Sequence, residues 1–67
     1  MRYFYGYNTQ HKGASVAFLV SRCKATVYRF TDKAARDEWA ALDRLHSVCT
    51  AGTAYRLMRG CPVVDCC

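Results

Sequence analysis

The chain has 67 residues, of which 52% are hydrophobic and 13% aromatic, and carries a formal charge of +5. That length leads to the expectation of one domain over residues 1–67, and the apolar content argues against a disordered chain because it can offset the entropy of ordering. The best apolar stretch, Ala14 to Val20, falls far short of the ~20 residues of a membrane span. The first residues lack the charged-then-apolar layout of a secretory signal, so the expectation is a cytoplasmic protein with no membrane partner.

The first thirty residues read as strands. From Met1 to Tyr7, Tyr3, Tyr5 and Tyr7 alternate with Arg2, Phe4 and Gly6, the two-residue period of a pleated strand. Asn8 to Gly13 is polar, contains a glycine and suits a hairpin loop. Ser15 to Ser21 reads as a second strand, with Val16, Phe18 and Val20 on one face and Ala17 and Leu19 on the other. Apolar residues on both faces place it centrally. Arg22 to Lys24 is a tight connection, and Ala25 to Phe30 is the third strand. Short links predict an antiparallel meander.

The period then changes to 3.6. Thr31 and Asp32 suit a helix N-cap, and Ala35, Trp39, Leu42, Leu45 and Cys49 recur as an apolar stripe. This predicts a long helix packed on the sheet with Trp39 and Leu42 in the core. Lys33 with Asp37 and Asp32 with Arg36 form pairs four apart on its solvent side. Thr50 to Thr53 breaks the helix, and a second, short one is expected over Ala54 to Arg59, capped by Thr53 and stopped by Gly60 and Pro62. Cys61 to Cys67 fits either an edge strand through Val63 and Val64 or an irregular tail. The expected fold is therefore α+β: a three-stranded antiparallel β-meander followed by one long and one short helix packed on one sheet face.

Chemistry is sparse. No glycine-rich phosphate loop or paired-carboxylate pattern stands out; Asp37 and Glu38 are adjacent, so on a helix they diverge by about 100°. His46 and Cys49 are three apart on the expected helix, the only thiol–base spacing that suggests nucleophilic chemistry. With Cys61 and Cys66 they also make up the four N/S ligands of a tetrahedral zinc site, though no C-x2-C knuckle is present. The plainer reading gives small core roles to Cys23 and Cys49, and the expectation is no enzyme, no cofactor and no metal.

Charge and aromatics are more informative. Residues 1–30 hold Arg2, Lys12, Arg22, Lys24 and Arg29 and no acid. Such a field favours an anionic partner, and equally serves solubility. Tyrosines flanked by cations suit either a protein interface, where Tyr and Arg are preferred anchors, or a single-stranded nucleic-acid platform. Arg2, Tyr3, Tyr5, Tyr7, Arg22, Lys24 and Arg29 are the expected partner-binding residues.

The segment Val27-Tyr28-Arg29-Phe30-Thr31-Asp32-Lys33-Ala34-Ala35-Arg36-Asp37-Glu38-Trp39 resembles small proteins encoded by phages and prophages, among them inhibitors of host defence of the anti-CRISPR kind. The resemblance spans about a third of the chain and brings no functional residue with it. It implies a non-enzymatic inhibitor that occupies a surface of a host protein complex, a nucleoprotein effector being one such target, inside the host cell. Because this chain is basic, imitation of DNA is disfavoured. A basic nucleic-acid-binding module using the same aromatic and cationic face is the alternative.

Overall fold

In the computed structural model seven elements alternate between strand and helix: β1 (Phe4–Asn8), α1 (Val16–Arg22), β2 (Thr26–Phe30), α2 (Lys33–Ala41), β3 (His46–Cys49), α3 (Ala51–Leu57) and β4 (Val63–Cys66). The structure describes residues 2–66. The expected strand start at Met1 and the terminal thiol of Cys67 lie outside the described residues. The four strands form one sheet in the order β3-β1-β2-β4. β1 pairs antiparallel with both β2 and β3, and β4 runs parallel to β2.

This corrects the expected architecture. Among the described residues the sheet has four strands and is mixed, not a three-stranded meander, and there are three helices rather than two. They also cover both sheet faces, α1 and α3 on one and α2 on the other.

The largest error falls on Ser15 to Ser21, which is helix α1. A short run apolar on both sides fits a buried helix as well as a strand, and the local signals decide. The Ser15 hydroxyl accepts the Phe18 N–H at 3.2 Å as N-cap. Val16, Leu19 and Val20 then sit at helical spacing, and Leu19 is buried to 1% exposure. Cys23 ends the helix in the left-handed conformation at φ 51°, its N–H returning to Leu19 and Val20 carbonyls.

Helix α2 starts where expected: Asp32 accepts the Ala35 N–H at 3.2 Å, and Lys33 reaches Asp37 at 2.7 Å. It ends earlier than expected. Asp43 accepts the Leu45 N–H at 2.9 Å, a local side-chain bond that competes with the helix, and His46 to Cys49 become edge strand β3. Leu42 is thus 79% exposed, not core. The last helix also begins earlier than expected, because Thr50, not Thr53, caps it.

The core lies between the sheet and the α1/α3 layer. Tyr5, Leu19, Ala25, Val27, Ala54, Leu57 and Cys61 are buried together there, with Tyr3 and Tyr7 packed against them. On the opposite face Trp39 of α2 lies across the sheet, 4.7 Å from Tyr28, 5.4 Å from Phe30 and stacked on His46 at 4.1 Å between ring centroids. Gly6 permits this: a Cβ there would collide with the Trp39 ring and stand 2.9 Å from the Ser47 carbonyl oxygen.

Candidate cationic binding face

All five acids fall at residues 32–43 and at 65. In the fold the first four gather on the α2 side, whereas Asp65 of β4 lies on the other sheet face, held by Arg29. The α2 side carries Asp32, Asp37, Glu38 and Asp43 among Lys33, Arg36 and Arg44. The helices α1 and α3 carry Arg22 and Arg56, each in a last turn, followed by Lys24 and Arg59, with no acid on either helix or in the loops that flank them. Cations at helix C-termini have a local explanation, since they meet the negative end of the helix dipole. Two such termini on one layer gather the charge.

Between α1 and α3 lies an open groove of about 310 Å³. Its wall is apolar where Val16, Ala17 and Val20 line it, and Ser21, Arg56 and Arg59 supply its polar rim. Neither Arg56 nor Arg59 takes part in an ion pair among the described residues. The cations on the α2 side differ. Lys33 and Arg36 both hold Asp37, Arg36 at 2.8 Å, and Arg36 also donates to the Tyr5 carbonyl at 3.1 Å.

The seven residues expected to bind a partner do not form one face. Tyr3, Tyr5 and Tyr7 share the sheet face that α1 and α3 cover. Tyr5 is 4% exposed, its ring edge-on to Tyr55 at 5.9 Å; burial, reinforced by Tyr55, pushes its hydroxyl above the usual tyrosine range. Arg29 lies beside this cluster, 4.7 Å over the Tyr3 ring and 2.5 Å from Asp65. That bond holds the Asp65 carboxyl low and is the main reason the Arg29 guanidinium is held high. The structure therefore brings Tyr3, Tyr5 and Arg29 together inside a structural cluster. Arg2 is exposed ahead of β1, whereas Arg22 and Lys24 sit exposed at the end of α1.

The thiol–base pair is not assembled. His46 and Cys49 lie on β3 three residues apart, hence on opposite faces. His46 Nδ1 is 2.7 Å from the Trp39 carbonyl, and burial pushes the Cys49 thiol up to about 11. Among the described residues no three His, Cys, Asp or Glu side chains gather as a metal cluster, and Cys61 lies in the α1/α3 core, across the sheet from His46.

The residues missed by sequence reasoning are Arg56, Arg59 and Ser21. A signal existed: residues 44–64 are as free of acids as residues 1–30. What the sequence lacked was the crossover that brings α3 beside α1. No family model, no curated protein and no solved structure matches this chain. No helix among the described residues is long and apolar enough to cross a membrane.

Proposed function

We propose that the protein is a non-enzymatic binding module that docks an acidic protein surface on its α1/α3 face. The observation that carries this reading is the groove itself: an apolar wall of Val16, Ala17 and Val20 rimmed by Arg56 and Arg59, on a layer without acids. An apolar wall takes a partner's side chain, and unpaired arginines orient and steer acidic groups beside it. A nucleic-acid reading is less favoured. The tyrosines that would stack bases are packed beneath the helices, and the groove wall suits aliphatic packing rather than base stacking. The resemblance at Val27 to Trp39 supplies the first partner class to test: a host defence effector complex, inhibited by occupation of its surface.

The test is paired capture from host lysate, with nuclease, by the wild-type chain and by Arg56→Glu/Arg59→Glu. Both residues are exposed, so the variant should keep its circular dichroism spectrum. A nuclease-resistant protein retained by the wild type and reduced at least tenfold by the variant supports the reading. Equal retention by both refutes this face. If nuclease abolishes capture and oligonucleotide binding falls steeply with salt, as counterion release demands, the nucleic-acid reading replaces it.

A further inference from the structure

Two cysteines meet where α1 ends and α3 leaves for β4. Cys23 is the one non-glycine with positive φ among the described residues. It occupies the left-handed C-cap position that glycine or asparagine usually fills, because a Cβ is disfavoured there. Cys61 is 7% exposed, its N–H donating to the Leu57 carbonyl at 2.9 Å and its thiol to the Leu19 carbonyl at 3.5 Å. The two turns are pressed together. Gly60 lies so near Val20 that a Cβ would stand 2.6 Å from the Val20 carbonyl oxygen. The Cys23 N–H in turn donates to that same oxygen at 3.3 Å. The Leu19 carbonyl that accepts the Cys61 thiol also accepts the Cys23 N–H, so the two cysteines stand side by side on one acceptor.

The pair is asymmetric. Cys23 is exposed and lines a polar groove of about 330 Å³ with Gln10, His11, Lys24 and Thr26. Cys61 faces the core. One thiol is open to a reagent, and the other is almost wholly covered.

We propose that Cys23 and Cys61 form a reversible thiol–disulfide pair that takes its oxidising equivalents from a low-molecular-weight disulfide of the glutathione type. The Cys23 thiol loses its proton to solvent and the resulting thiolate attacks one sulfur of the small disulfide; a mixed disulfide forms on Cys23, and one small thiolate leaves and takes up a proton. The Cys61 thiol then loses its proton to solvent and its sulfur attacks the Cys23 sulfur. The second small thiolate leaves and is protonated in turn. The protein dithiol is oxidised by two electrons and the small disulfide is reduced to two thiols. The product ties the end of α1 to the α3–β4 connection. The inference stands whether or not the α1/α3 groove docks a partner.

Burial pushes the Cys61 thiol up, so the second step should be the slow one near neutral pH and should accelerate as pH rises. The experiment incubates the reduced full chain with oxidised glutathione, quenches with acid at intervals, and maps cysteines by non-reducing peptide mass spectrometry. The expected product is a Cys23–Cys61 cross-linked peptide, preceded by glutathione on Cys23, with closure faster at pH 8.5 than at pH 7. In Cys61→Ala the glutathione adduct on Cys23 should persist instead. The cross-link should raise the unfolding midpoint on the order of 10 °C, reversed by reductant. The proposal is overturned if wild-type Cys23 stays as the glutathione adduct while Cys61 remains a thiol, or if Cys23 pairs with another cysteine.

Discussion

The two helical layers of this protein do different work. The α1/α3 layer buries Leu19, Ala54 and Leu57 against the sheet and carries cations and no acid on its two helices. The α2 layer buries no residue fully. It holds to the sheet through one aromatic stack, Trp39 on Tyr28, Phe30 and His46, and its charges largely neutralise one another. Packing energy and unpaired positive charge therefore sit on the same side. This arrangement is economical in so small a chain, since the elements rigidified by the core are the ones that present the groove. A binding face on rigid helices needs less ordering when a partner arrives.

The largest effect should separate the layers outright. Leu57→Ala removes a fully buried side chain and should cost about 2–5 kcal/mol. Leu42→Ala on α2 removes an exposed one and should change stability by no more than about 0.5 kcal/mol. Denaturant unfolding of the two variants checks this, and comparable losses would break the comparison. Next comes Gly6→Ala, where the added Cβ meets the Trp39 ring and the Ser47 carbonyl. Lifting α2 off β1 should cost about 1–3 kcal/mol and shift the single tryptophan's emission to the red. An unshifted spectrum would mean that α2 does not depend on that close approach.

Particular residues show what was legible in the sequence and what was not. The strand expected over Ala25 to Phe30 is β2 to within one residue, and the one expected over Met1 to Tyr7 is β1 with its bounds moved to Phe4–Asn8, because alternation marks a strand more clearly than its ends. The start of α2 was read from Asp32, whose capping role is local. Ser15 to Ser21 was not, since its seven residues satisfy both periods and only the Ser15 cap distinguishes them. β3 was missed because Leu45 and Cys49 continue the helical spacing by coincidence, and the Asp43 turn that interrupts it is a single side-chain bond. The candidate site was half legible. Arg22 and Lys24 were marked, but Arg56 and Arg59 join them only through the crossover of α3 over the whole sheet, a non-local event that no local pattern encodes.

A smaller effect tests how each layer's helix is started. Asp32 caps α2 and Thr50 caps α3 through side-chain acceptors at 3.2 and 3.3 Å. Asp32→Ala and Thr50→Ala should each cost about 1 kcal/mol. The Thr50 variant should also weaken partner binding, since α3 forms one wall of the groove, whereas the Asp32 variant should leave binding unchanged. Equal effects on binding would show that the layers are not functionally separate.

The smallest effect is electrostatic and concerns acid. Asp37, held chiefly by Lys33 and then by Arg36, and Asp65, held by Arg29, both have carboxyls below their usual range. A carboxylate whose pKa is depressed by folding contributes stability that is fully present above its unfolded value, about 3.9, and is lost as pH falls through the folded value. Both side chains are largely exposed, so water screens the pairs and the change should be slight. Stability should thus be flat from neutral pH to about 5 and decline gently below 4. Carboxyl carbon shifts followed by NMR should place both midpoints below the ordinary aspartate value of about 3.9. In Lys33→Met the Asp37 midpoint should rise while that of Asp65 stays fixed, because the two carboxylates belong to opposite faces of the sheet. A coupled rise of both would mean that charge on the α2 side is felt through the sheet, and the separation of the two layers would then hold for packing alone.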